Sequence, residues 1–368
     1  MLAKGLNLKS LKSENRRLLL YLLNDYGCLS RKEIASKLSL TPAAVTKICN
    51  ELIKDGFIRE LGIVEEDGKS GRREVLLGLC LDDKLVLGVN AEHNAITYSV
   101  SNLKGELISI KRSDFCTDVQ KVIHQAYDFL HNSGVDINKI IGAGICIIGA
   151  LSENDFGVWK NRDLKEKFES ALGIPVVVEN NVKAFAQSEL IYGKADNSKS
   201  ILFLKWGPGI GSSIVAQGRV QSGNDSGIAE IGHYIVNVAG KKCRCGRFGC
   251  LETEVSSEVM IAEAGKNLSL EEIINNNQKD IVYLLEHKID LVALALSNTA
   301  TILNAQSIIL FGSLFDNEQI IKKLVKQCIR YNKNFEGNII KLSALNDKRE
   351  YIGATAICAK KYFFEFRY

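Results

Sequence analysis

The 368-residue chain has only 3 prolines, 2 tryptophans and 2 methionines, and its formal charge is a slight +4. So few prolines beside 30 glycines exclude collagen-like and proline-rich linker architectures. Long apolar runs are missing too. The longest, 140–151, has 12 residues with three glycines, short of the roughly 20 helical residues that a bilayer crossing needs. Met1–Ser10 carries lysines and no apolar core, so neither a secretory leader nor a membrane partner is expected. The 10 cysteines therefore do not suggest a disulfide scaffold in a chain of this length, and a reducing cytoplasm is the expected compartment. With 46% hydrophobic and 24% charged residues the composition is that of an ordinary folded protein, long enough for two or three domains.

The charge is informative once divided along the chain. Residues 1–74 hold 14 Lys and Arg against 10 Asp and Glu, an excess equal to that of the whole chain, so the remainder balances to zero. Within this segment, residues 14–25 place Leu18, Leu19, Leu22 and Leu23 in a helical stripe. A second helix is expected from Ser30, with Glu33 completing a capping box, to Leu38. A third starts with Thr41 as N-cap and Pro42 in the first turn, and runs to Asp55 with Gly56 just beyond. The short connection through Ser39–Thr41 makes this a helix-turn-helix, a shape that serves both for DNA and for protein docking. Val45, Ile48, Leu52 and Ile53 form the buried face of helix three. Thr41, Ala43, Ala44, Thr46, Lys47 and Asn50 are the candidate DNA contacts: small residues allow close approach, and Thr, Lys and Asn can reach bases or phosphates. Beyond Gly56 two strands flank a polar loop, a wing whose Lys69, Arg72 and Arg73 are candidates for a minor groove or phosphates.

From Leu85 the pattern becomes α/β. Strand-rich starts followed by alternating helices and strands occur twice, which suggests two lobes with a cleft between them. The most specific chemical signal is His233-x9-Cys243-x-Cys245-x4-Cys250. Three thiolates and an imidazole suit a closed tetrahedral zinc site of structural type, with Gly246 and Gly249 letting the chain fold tightly around it; the alternative is three unrelated cysteines. Three further segments point to the cleft: the glycine-rich turn 207–211, the carboxylates Glu230 and Glu252 on either side of the cysteines, and Asn180–Asn181 at a strand end. A glycine-rich turn alone is weak evidence, since it also simply reverses the chain.

The N-terminal stretch LSRKEIASKLSLTPAAVTKICNELIKDGFI with its GRR wing, and the Glu-x-Gly-His plus cysteine segment, resemble the ROK family of repressors and sugar kinases over essentially the whole chain. The resemblance implies a winged helix-turn-helix over about 1–80 and an actin/hexokinase/Hsp70-like (ribonuclease H-like) sensor over 81–368. Lobe one would cover about 81–195 plus the C-terminal helix, and lobe two about 196–350. It also implies that Asn180, Asn181, Glu230, His233 and Glu252 bind sugar hydroxyls, His233 serving metal and sugar through its two nitrogens.

The departures from the family pattern separate regulator from enzyme. Its kinases use an Asn-Asp pair whose Asp is the general base, and here Asn181 stands in that place, an amide with no basic site near neutral pH. Their first phosphate loop reads Asp-x-Gly-Gly-Thr; here it is Asn90-Ala91-Glu92-His93-Asn94, without glycines and with Glu92 adding negative charge. No kinase activity, ATP or magnesium is therefore expected. The implied protein is a repressor of carbohydrate-utilisation genes, a homodimer or tetramer on pseudo-palindromic double-stranded operator DNA, responding to a small sugar or sugar phosphate such as xylose, glucose or N-acetylglucosamine. A sugar-independent role for the large region, in dimerisation or protein docking, is the alternative.

Overall fold

The computed structural model describes residues 8–64, 74–92, 94–149, 161–193, 200–222, 228–265, 268–333 and 337–365. The N-terminal unit runs α1 (Leu8–Tyr26), β1 (Cys28–Ser30), α2 (Arg31–Leu38), α3 (Pro42–Lys54), β2 (Ile58–Val64) and β3 (Glu74–Leu79). Its boundaries follow local chemistry. Ser30 Oγ accepts the Glu33 N–H while Glu33 returns a carboxylate to the Ser30 N–H at 2.7 Å. Thr41 Oγ1 accepts the Ala44 N–H, and Ser39, at φ 53°, turns the chain between the two helices. Leu19, Leu23, Ile34, Val45, Ile48 and Leu52 close the core. The short β1, invisible to period-based reading, pairs with β3 and makes the wing sheet three-stranded in the order β1-β3-β2. Wing residues 65–73, including Lys69, Arg72 and Arg73, lie outside the described residues.

The first large sheet follows: β4 (Leu85–Ala91), β5 (Ala95–Asn102), β6 (Leu107–Asp114), α4 (Val119–Asn132), β7 (Ile140–Ile147), α5 (Asn161–Leu172), β8 (Val176–Asn180) and α6 (Asn181–Ile191). Its order is β6-β5-β4-β7-β8, antiparallel across β4–β6 and parallel across β4–β7–β8. Strands β4 and β5 are buried along their whole length, so both faces must be covered. Helices α4 and α5 pack on one face through Val122, Ala126, Phe129 and Phe168.

The second sheet belongs to β9 (Ile201–Trp206), β10 (Ile210–Ala216), β11 (Arg219–Val220), α7 (Leu251–Val255), α8 (Ser257–Ala264), α9 (Leu270–Ile274), α10 (Lys279–Leu303), β12 (Ser307–Phe311), α11 (Glu318–Tyr331) and β13 (Ile340–Leu342), before α12 (Ile352–Ala359). Its order is β11-β10-β9-β12-β13. Leu202, Leu204 and Leu310 face α10 and α11, packing with Val292, Leu296 and Leu324.

Two helices join the sheets. α12 lies directly on β7, because a Cβ on Gly144 would collide with the Ala354 carbonyl. α6 follows β8 and chain order groups it with the first sheet, yet Phe185, Ala186 and Leu190 are buried with Phe203 and Phe311 of the second. The N-terminal unit is not a separate body either. Its core continues into α12 and the turn of π-helix at Lys360–Phe364, where Tyr21 stacks on Phe364 at 4.8 Å and Phe57 meets Phe363 at 5.1 Å. Asn24 adds a hydrogen bond to the Ile191 carbonyl at 2.9 Å. No helix among the described residues is long and apolar enough to cross a membrane.

Candidate metal centre, effector pocket and DNA-binding surface

His233 ends the 3-10 turn after Glu230, and the cysteines sit on the loop between that turn and α7. Two short antiparallel bridges, Ile235 with Cys250 and Lys242 with Phe248, fold the loop back on itself. Gly246 and Gly249 take φ of 89° and 68°, a region that side chains disfavour, and a Cβ on Gly249 would strike the Asn237 carbonyl. As a result the ligand atoms of His233, Cys243, Cys245 and Cys250 all lie within 4.8 Å of one another. Cys245 and Cys250 sulfurs are 3.5 Å apart, and Cys243 Sγ is 3.6 Å from His233 Nδ1. Tetrahedral zinc with bonds of about 2.3 Å to sulfur and 2.0–2.1 Å to nitrogen requires separations of roughly 3.5–3.8 Å, so the donor set fits that ion. All ten cysteines are free thiols, which removes a disulfide as the reason for the cluster. With Nδ1 turned to the sulfurs, Nε2 of His233 is left for another partner.

The carboxylates flank this knuckle. Glu230 is mostly buried, and burial pushes its carboxyl up, while His233 and Lys183 pull it back and Glu252 adds to the rise. Glu252 accepts from Arg244, which sits between two of the cysteines, at 3.1 Å. Thus the fold brings Glu230, His233 and Glu252 together, and adds Lys183 and Arg244, which sequence reading passed over. Arg244 was legible as a cation inside the metal loop; Lys183 only as one helical step from Asn180. The asparagines are differently placed. Asn180 caps α6, its Oδ1 accepting from Val182 and Lys183 N–H, and its Nδ2 donates to the Gly149 carbonyl at 2.8 Å. It therefore fixes the start of α6 against the Gly149 turn. Asn181 is buried and directed toward Glu92, 3.5 Å away.

Glu92, read from the sequence as adding negative charge to this segment, has a partner that the sequence did not announce. Both its oxygens accept from Lys205 Nζ of β9, at 2.8 and 2.9 Å, so an ion pair spans the cleft between the two hairpin turns. Lys205 also lies over the Phe185 ring. The glycine-rich turn is held by Gly207 N–H to Gly209 O and by Ser257 N–H to Gly207 O, both at 2.9 Å. Around the pair remains a cavity of about 250 Å³, lined by Asn90, Asn94, Arg112, Gly207 and Gly312.

On α3, Thr41, Ala43, Thr46, Lys47 and Asn50 are exposed and Ala44 is half-buried. Thr46 donates its hydroxyl to the Pro42 carbonyl at 2.8 Å and keeps its lone pairs outward. A concave groove of about 840 Å³ runs between α2, α3 and β3, with Arg31, Lys32, Thr46 and Asn50 on its walls. Arg31 and Lys32 are additions to the expected contacts; their place directly after the Ser30 cap was the available signal. By contrast Lys12, at the surface, and the buried Arg16 pair with Glu51 at 2.8 Å and Asp55 at 3.0 Å and fasten α1 to the end of α3.

Comparison with known proteins agrees with this architecture. The ROK family pattern matches residues 86–361 and the MarR family pattern matches residues 12–61. The xylose repressor of Bacillus subtilis (strain 168) is 24% identical over 327 residues, covering 84% of this chain and 85% of that protein. The transcriptional dual regulator NagC of Escherichia coli (strain K12) is 23% identical, covering 95% and 93%. Among solved structures, a ROK family transcriptional regulator homologous to the Escherichia coli MLC protein superposes with a TM-score of 0.79 at 23% identity, covering 96% of this chain and 97% of that one. The ROK hexokinase of Thermus thermophilus gives 0.60 at 22%, covering 74% of this chain and 97% of its own. The chain belongs to the ROK family, with a MarR-type winged helix at its N-terminus.

Proposed function

We propose that this protein is a DNA-binding repressor of sugar-utilisation genes whose kinase-like region is a catalytically silent sensor. The observation that carries the reading is the continuous apolar core from the winged helix through Phe363 and Phe364 into α12. A reading head built into its sensor moves when the sensor's lobes move. Thr41, Ala43, Ala44, Thr46, Lys47 and Asn50 of α3 meet the major groove, Arg31 and Lys32 the phosphates, and Lys69, Arg72 and Arg73 the groove beside the wing. Two copies address the half-sites of a pseudo-palindrome in the cytoplasm. A sugar enters between Asn180, Glu230, His233 Nε2 and Glu252. Its coupling to DNA equals its difference in affinity for the two lobe arrangements, typically about 1–3 kcal/mol. Zinc on His233, Cys243, Cys245 and Cys250 supplies a closed structural clamp and no open coordination position. Phosphoryl transfer is not part of the reading: Asn181 has no proton-accepting site, and Glu92 with Lys205 fills the place of phosphate.

The test is operator binding by fluorescence anisotropy, using promoter fragments from beside the gene, with and without xylose, glucose, N-acetylglucosamine and their phosphates. Specific binding weakened by one of these sugars is expected. Binding that no sugar changes would leave the large region as a dimerisation or docking unit, and ATP-dependent sugar phosphorylation would overturn the silent sensor.

A further inference from the structure

Arg31 and Lys32 open α2, directly after the Ser30 cap. The positive end of a helix dipole disfavours cations in the first turn, so these two side chains do nothing for the helix itself. Both line the groove of about 840 Å³ that Thr46 and Asn50 of α3 also line. Each is covered by a carboxylate. Arg31 pairs with Glu60 of β2 at 3.1 Å, and Lys32 with Glu74 of β3 at 3.3 Å. Both acids come from the wing sheet, and Glu74 is itself a wall of the groove. The Lys32 side chain is 85% exposed and that of Glu60 52%, so water weakens both pairs and a competing anion can open them.

We propose that Glu60 and Glu74 are specificity-determining residues, whose carboxylates compete with DNA phosphates for Arg31 and Lys32 and so hold down binding to sequences other than the operator. This rests on the DNA-binding reading given above. Attraction to phosphates supplies nearly all of non-specific binding, whereas an operator adds base contacts from α3. Docking of α3 on its bases fixes α2 against the backbone, where phosphate oxygens displace the two carboxylates. Without that register the internal pairs stay closed, and Arg31 and Lys32 contribute little. The acids thus act against the wrong partner more than against the right one, and the ratio of the two affinities rises.

Fluorescence anisotropy with the full chain tests this on two probes, a duplex of random sequence and a duplex that the native chain selects from a random pool. The double variant E60Q/E74Q should bind the random duplex roughly tenfold more tightly and the selected one no more than about threefold, with an unchanged melting curve. Its random-duplex affinity should also fall more steeply with salt, by about one to two units of log–log slope, because two more cations meet phosphates. In the R31Q/K32Q background the same pair of substitutions should have no effect. The control E258Q/E271Q, with the same change of net charge on α8 and α9, should alter neither affinity. No gain in E60Q/E74Q, an equal gain on both duplexes, or a gain that persists without Arg31 and Lys32 would each overturn the assignment. A loss of affinity would overturn it too, and would make the carboxylates supports that hold the two cations in place. A native chain that binds neither duplex would instead overturn the DNA-binding reading, and this inference with it.

Discussion

The two lobes begin alike, each with a hairpin whose turn faces the cleft, yet the turns have gone opposite ways. The β4–β5 turn has no glycine and carries Glu92; the β9–β10 turn keeps Gly207 and Gly209 and is preceded by Lys205. Two turns suited to surround a shared anion have become the two halves of an internal ion pair. The lobes also differ in what holds them. The first shares its apolar core with the winged helix through α12, whereas the second has a core of its own under α10 and α11 and adds a loop whose ligand cluster suits a metal ion. The two halves thus differ in their neighbours: one adjoins the winged helix, the other carries the His233 and cysteine loop.

The sharpest way to break this comparison is to remove the metal. Cys245→Ser should abolish stoichiometric zinc, measured by atomic absorption, and cost about 4 kcal/mol or more, the range seen on loss of a structural metal. Sugar binding should disappear with it. Attacking the other lobe's anchor, Phe363→Ala should cost about 3–5 kcal/mol by emptying a filled aromatic site, read by urea denaturation. Here sugar binding should survive while its effect on operator affinity fades, the reverse of the metal variant.

Between the lobes, Glu92→Gln strands Lys205, whose side chain is only 12% exposed, and should destabilise by about 2–3 kcal/mol. The double variant E92Q/K205M should recover most of that loss, and neither should gain ATP turnover. The smallest effect expected is on pH dependence. Glu189 on α6 is bonded to Ser343 beyond β13, and burial pushes its carboxyl above the usual range. The folded state then holds a proton that the unfolded chain releases earlier. Stability should therefore fall as pH rises from the ordinary carboxylate value through the raised one, and Glu189→Gln should flatten that slope in thermal melts.

Local chemistry explains why the winged helix was readable in advance. Ser30 with Glu33, and Thr41 with Pro42, are short-range signals that act wherever the chain goes. The metal ligands were equally plain, because their spacing falls within one loop of 18 residues from His233 to Cys250. Partners distant in sequence were not. Nothing near Glu92 announces Lys205, 113 positions later, and nothing near Tyr21 announces Phe364. Asn180 was read as a sugar ligand from the family resemblance and its place at a strand end; its amide oxygen also caps α6, a local role the spacing did not announce.

By itself the sequence determined the elements, the caps and the cluster of His233 with three cysteines, since each depends on residues a few positions apart. Tertiary structure alone decided that α6 packs on the second sheet, that Glu92 and Lys205 form an ion pair, and that the winged helix shares its core with α12. These depend on which surfaces meet once apolar faces are buried, and that choice is made by the whole chain at once.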